Sequence, residues 1–85
     1  VADTGVTVRY FAAARAAAGT EEEVVAVAPG ATLADLVEML SRRDAELSRV
    51  LKRCSYLRDS FAIRDHQIVI KAGQTVDVLP PFAGG

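Results

Sequence analysis

The segment Val6-Thr7-Val8-Arg9-Tyr10-Phe11 alternates with a period of two, placing Val6, Val8 and Tyr10 on one face and Thr7, Arg9 and Phe11 on the other. That is the pattern of a half-buried strand. Ala12 to Ala18 is rich in alanine and closes at Gly19, predicting a short helix with a glycine stop. Three glutamates, Glu21 to Glu23, lead into the β-branched run Val24-Val25-Ala26-Val27, a second strand that Pro29-Gly30 ends. Thr32 is then placed as N-cap with Asp35 three residues on, a capping box. Leu33, Leu36, Val37 and Leu40 follow at helical spacing, so one apolar stripe packs on a sheet, and Arg42 and Arg43 suit the negative end of the helix dipole. Ala45 to Arg53 predicts a second helical piece with Leu47, Val50 and Leu51 inward.

Cys54 to Asp59 reads as irregular. Short strands are expected at Phe61-Ala62-Ile63 and Ile68-Val69-Ile70, with turns near Asp65-His66 and at Ala72-Gly73. Thr75-Val76-Asp77-Val78-Leu79 alternates again, with Val76 and Val78 inward and Thr75, Asp77 and Leu79 outward. The order predicts an α+β domain, a sheet of four to five strands covered by one main helix and short helical pieces. Its expected boundaries are a flexible N-terminus over 1–5, the domain over 6–79 and an extended tail over 80–85.

Composition narrows the function. Eighty-five residues make one domain with one core. Ten basic against eleven acidic residues give a net charge of −1, which offers no field for a phosphate backbone, so nucleic acid is disfavoured as a partner. Cys54 is the only cysteine, which excludes an internal disulfide and a Cys-rich zinc site and fits a reducing compartment. No run approaches the ~18 apolar residues of a membrane span. The expectation is a cytoplasmic protein with no membrane partner, no metal site and no bound cofactor.

The chemistry points to the end of the chain, Leu79-Pro80-Pro81-Phe82-Ala83-Gly84-Gly85. Two glycines have no Cβ to collide with the walls of a narrow tunnel, and two prolines bias the run before them toward an extended form. Pro81 to Gly85 can reach roughly 15 Å at about 3.3 Å per residue. A frayed terminus is the competing reading. Elsewhere the candidates are weaker. His66 has no neighbouring Cys or second His and reads as a solvated loop residue; Cys54 reads as a small core residue; the glutamate run reads as a soluble edge. No glycine-rich phosphate loop is present, so any ATP is bound by another protein.

Val8-Arg9-Tyr10-Phe11-Ala12 with Arg15 and Gly19, the helix start Ala31-Thr32-Leu33-Ala34-Asp35-Leu36, and Gly73 through Gly85 together resemble the MoaD-like sulfur carriers of the MoaD/ThiS ubiquitin-like superfamily, the small subunits of molybdopterin synthase. The resemblance implies a β-grasp fold whose first and last strands are parallel neighbours in the centre of the sheet. It implies that an E1-like (MoeB-like) adenylating enzyme uses ATP on the Gly85 carboxylate, that a sulfur donor converts the acyl adenylate to a thiocarboxylate, and that a MoaE-like large subunit receives the tail. Gly85 would carry the reaction, with Gly84 giving it passage. Leu79, Pro80, Pro81, Phe82 and Ala83 would deliver it. On the implied strand order Phe11 and Leu79 form an apolar pair on an otherwise polar face, a docking anchor that Phe82 extends, and Arg15 can meet an acidic group of the partner. Where the family carries an asparagine in the strand before the final turn and an acidic turn into the last strand, this chain has Ile63-Arg64-Asp65 and Ala72-Gly73-Gln74. The alternatives are a carrier feeding thiazole or cysteine synthesis, and a ubiquitin-like modifier or interaction module.

Overall fold

The computed structural model describes residues 5–81. Its elements run β1 (Gly5–Tyr10), α1 (Ala12–Ala18), β2 (Glu22–Ala26), α2 (Leu33–Ser41), α3 (Ala45–Leu51), β3 (Ser55–Arg58), β4 (Phe61–Ala62) and β5 (Thr75–Leu79). The strands form one sheet in the order β2-β1-β5-β3-β4. β1 and β5 pair in parallel, with Thr7 opposite Thr75 and Tyr10 opposite Val78, and β2 and β3 flank them antiparallel. The first and last strands are thus neighbours inside the sheet, the arrangement that the β-grasp resemblance implied.

The period of two decides which side chains meet the helices. Val6, Val8 and Tyr10 of β1, Val76 and Val78 of β5 and Tyr56 of β3 join Ala14, Leu33, Leu36, Leu40, Leu47 and Leu51 of the three helices in one buried cluster. Fully burying each such aliphatic side chain is worth about 1.5–3 kcal/mol. Thr32 caps α2 as its spacing predicts: its Oγ1 accepts the Asp35 N–H at 3.2 Å, and Asp35 Oδ2 accepts the Thr32 N–H at 3.0 Å. Arg42, expected in the last turn of α2, is its C-cap. Gly19 ends α1 at φ 79 and Gly73 turns the chain into β5 at φ 86, both left-handed conformations that glycine adopts without a Cβ penalty.

Four expectations need correction. Cys54 to Asp59 is not irregular, because Ser55–Arg58 is β3, paired antiparallel with β5. Asp59 and Ser60, at φ 48 and 75, form a two-residue hairpin turn to β4, and Asp59 Oδ1 accepts the Thr75 N–H at 3.0 Å. The mirror-image turn that matches strand twist is usually signalled by Asn-Gly or Asp-Gly, so Asp-Ser gave no cue. Ile68-Val69-Ile70 is not a sheet strand. It makes one bridge, Val69 to Thr32, and hydrogen bonds to the lead-in of α2, leaving Ile70 to fill the core. β2 begins two residues earlier than Val24 and β1 one residue earlier than Val6.

Glu23 is also more than a soluble edge. It accepts a hydrogen bond from the Tyr10 hydroxyl at 2.6 Å and one from Arg43 at 2.8 Å, tying β1, β2 and the end of α2 together. Burial raises its carboxyl pKa, but the hydrogen bonds from Arg43 and Tyr10 with the Arg43 charge outweigh that, so the net shift is downward. Burial and the same carboxylate push the Tyr10 hydroxyl far above its ordinary value.

Thr32→Ala is expected to cost about 1 kcal/mol in denaturant unfolding. Glu23→Gln is expected to cost about 1 kcal/mol at pH 7. Because the folded pKa of Glu23 lies below the unfolded carboxylate range, its contribution is complete above that range and is lost as pH falls through the folded value. The difference in stability between the two proteins should therefore narrow on acidification below about pH 4.

Candidate functional site

The site grows from the C-terminal ends of β1 and β5. Phe11 is the N-cap of α1, in extended conformation just past β1, with its N–H donating to the Val78 carbonyl at 3.2 Å. The parallel register, Tyr10 opposite Val78, carried one step further sets Phe11 beside Leu79. Both side chains are half-buried, and they share the face on which no helix contributes to the core cluster. The Phe11 carbonyl accepts the N–H groups of Ala14 and Arg15 at 3.0 and 3.3 Å and so starts α1. The first residue of α1, Ala12, stands at φ 50, a left-handed conformation that costs an L-residue about 1 kcal/mol.

Pro80 is buried, and Pro81 is exposed. The two prolines line a notch of about 190 Å³ with Ala13 of α1, Val50 of α3 and Arg53, so the root of the tail borders both helices. Pro80 is therefore placed in the body of the domain and not on a projecting arm. Phe82, Ala83, Gly84 and Gly85 lie outside the described residues. Arg15, expected to meet an acidic group of a partner, lies 3.4 Å from Glu21 of its own chain, both side chains being exposed.

The outward position expected for Asp77 holds, but that face does not open it to water. It lies on the outward face but is only 9% exposed, and its Oδ1 is buried with no hydrogen bond among the described residues. Arg9 Nε lies 3.2 Å from that oxygen, off the hydrogen-bond direction, so the contact is an ion pair. The Arg9 guanidinium carbon also stands 5.4 Å from the centre of the Phe11 ring. Sequence reasoning missed this trio, although its signal was present. Arg9 and Asp77 were both assigned to outward faces, and parallel pairing of their strands makes them direct neighbours.

The remaining candidates have structural partners. Cys54 donates its thiol to the Val50 carbonyl at 3.3 Å, and burial pushes its pKa up to about 11, so at neutral pH it stays a thiol. His66 stands edge-on to Tyr56 with ring centres 5.6 Å apart, and its carbonyl accepts the Ala34 N–H at 2.9 Å. Among the described residues no cluster of His, Cys, Asp or Glu can hold a metal ion, and no helix is long and apolar enough to cross a membrane.

A sequence model of the ThiS family matches residues 8–85, from the middle of β1 to the second terminal glycine. The chain belongs to the ThiS family. Its similarity extends to the molybdopterin synthase sulfur carrier subunit of Chlamydomonas reinhardtii, 30% identical over 81 residues, covering 94% of this chain and 98% of that protein. A Pyrococcus furiosus structure described as molybdopterin converting factor, subunit 1 superposes with a TM-score of 0.83 at 25% identity, covering 93% of this chain and 99% of that one. Small archaeal modifier protein 1 of Haloferax volcanii superposes with a TM-score of 0.81 at 26% identity, covering 95% and 99%. The fold of this ThiS-family chain is the ubiquitin-like β-grasp, as its MoaD-like resemblance implied.

If the left-handed turn at Ala12 is strained, Ala12→Gly should raise the unfolding free energy by about 0.5–1 kcal/mol. A decrease would show that the alanine methyl is needed for packing at the start of α1.

Proposed function

We propose that this chain is the sulfur carrier subunit of a molybdopterin synthase, its tail carrying sulfur into a larger subunit. The observation that carries the reading is that the family match runs through the last residue, Gly85, while the chain that precedes the tail leaves a central strand beside an apolar pair. Similarity to the Chlamydomonas carrier over nearly its whole length favours the molybdopterin branch over carriers for thiazole or cysteine synthesis.

The chemistry follows from the carboxylate. Ionised at neutral pH, with an α-carboxyl pKa of about 3.3–3.7, it is a poor electrophile. An E1-like enzyme joins a Gly85 carboxylate oxygen to the α-phosphorus of ATP and releases pyrophosphate. A persulfide sulfur donor then attacks the acyl carbon, AMP departs, and a thiol cleaves the resulting acyl disulfide, leaving a disulfide between that thiol and the donor and, on Gly85, the thiocarboxylate. Its sulfur is more polarisable and more nucleophilic than the oxygen it replaces. Inside the large subunit it attacks a pterin precursor, and two such transfers build a dithiolene. The domain needs no acid, base or ATP site of its own, since it serves as a handle for successive partners. Phe11 and Leu79 are the apolar part of that handle, and Pro80 sets the point from which the tail departs.

Similarity to small archaeal modifier protein 1 favours a second reading, in which Gly85 becomes attached to lysine amines of other proteins. Isopeptide-linked adducts in cells would support it.

Incubation with the activating enzyme, ATP and a sulfur donor should replace one oxygen by one sulfur, localised to Gly85 by intact-mass and fragment analysis. No mass change with the cognate enzyme would overturn the reading. Deleting Gly85 should abolish transfer and change folding stability by less than about 0.5 kcal/mol. A clear loss of thermal stability would instead make the tail part of the fold.

A further inference from the structure

Two features unfavourable to the isolated domain meet at the handover from β1 to α1. Asp77 places a carboxylate in an interior strand, where Asp is a poor strand former, and its buried Oδ1 has an ion pair but no hydrogen bond among the described residues. Ala12 holds a left-handed backbone immediately after Phe11. Such features persist where the surroundings impose them, and they gather at functional sites. Both bear on the setting of one side chain, the Phe11 ring.

Arg9 connects them. Its Nε faces Asp77 while its guanidinium carbon stands over the Phe11 ring, and a planar, always charged group can do both at once where a lysine ammonium cannot. Glu22 sits directly opposite Arg9 on β2, yet no ion pair joins them, and the terminal guanidinium nitrogens have no acceptor among the described residues. The Arg9 side chain is 47% exposed. Its outer end therefore faces solvent beside Phe11, at the corner from which Pro80 and Pro81 lead to the tail.

We propose that Asp77 and Arg9 are positioning residues for Phe11: Asp77 holds the guanidinium against the ring, and the outward nitrogens meet a carboxylate on the large subunit that takes the tail. This rests on the sulfur-carrier reading. Continuity names the occupant, because an enzyme that encloses a chain leaving Leu79 must cover the neighbouring Phe11. Charge names its chemistry, because an arginine fork without an acceptor pairs best with a carboxylate.

The test has one arm without a partner and one with it. In the free full-length chain labelled with nitrogen-15, the Arg9 Nε–H resonance should be shifted by the Phe11 ring, and Asp77→Asn should abolish that shift. A shift that survives the substitution, or none in the wild type, would overturn the positioning role whatever the partner proves to be. In calorimetric titration of the large subunit, Asp77→Asn and Arg9→Lys should each weaken binding about tenfold, with the double variant little weaker than either. The Asp77→Asn domain should melt at or above the wild-type temperature. Variants that bind like wild type, or that lose affinity only in step with stability, would overturn the proposal. Self-association of the wild-type chain that these variants abolish would assign the face to a second copy and also overturn it. A wild-type chain that does not bind the large subunit at all would instead overturn the sulfur-carrier reading.

Discussion

The parallel pairing of β1 with β5 is the constraint on which the rest of the molecule depends. It joins the two most distant strands of the chain in the middle of the sheet, so the intervening residues must close a long loop before any of this pairing is gained. Val6, Val8, Val76 and Val78 repay that cost by bringing their apolar face under the helices. The same pairing makes the last strand an interior one. A tail that follows it is therefore rooted in the most strongly held part of the domain, and a pull on the tail loads hydrogen bonds on both sides of β5.

The helix layer makes this root specific. α1 follows β1 after the extended Phe11 and opens on the left-handed Ala12, and α3 packs beside it, leaving a notch that Pro80 helps to line. The clasp of Tyr10, Glu23 and Arg43 fixes β2 and the end of α2 around the same strand. The Tyr56 hydroxyl donates to the Leu51 carbonyl at 2.9 Å and does the same for the end of α3. These polar contacts link elements that the apolar cluster alone would leave free to slide.

The two faces of the sheet are built to different rules. The inner face is almost wholly apolar and satisfied within the domain. The outer face carries Arg9, Asp77, Phe11 and Leu79 close together, with a buried carboxylate that gains little for the fold by itself. Such a departure from local consistency is expected where a surface has a second task.

The amino-acid sequence by itself determined the strands and helices with a clear local pattern: β1, α1, β2, α2, α3 and β5, the cap at Thr32, the stop at Gly19 and the turn at Gly73. These are local properties, set by which side chains repeat at two or 3.6 residues and which backbone angles a residue tolerates. β3 escaped, and with it the hairpin to the expected strand at Phe61-Ala62, because the Asp59-Ser60 turn takes its shape from tertiary pairing and lacks a glycine signal. Ile68 to Ile70 carried a strand-like composition, but its carbonyls and amides were claimed by the start of α2. Phe11 and Leu79 were legible as a pair only through the resemblance that implied parallel neighbours. The burial of Asp77 and Pro80, the pairing of Arg9 and the role of Glu23 were decided by tertiary structure, because each depends on what another element lays across it, and periodicity along one strand does not contain that.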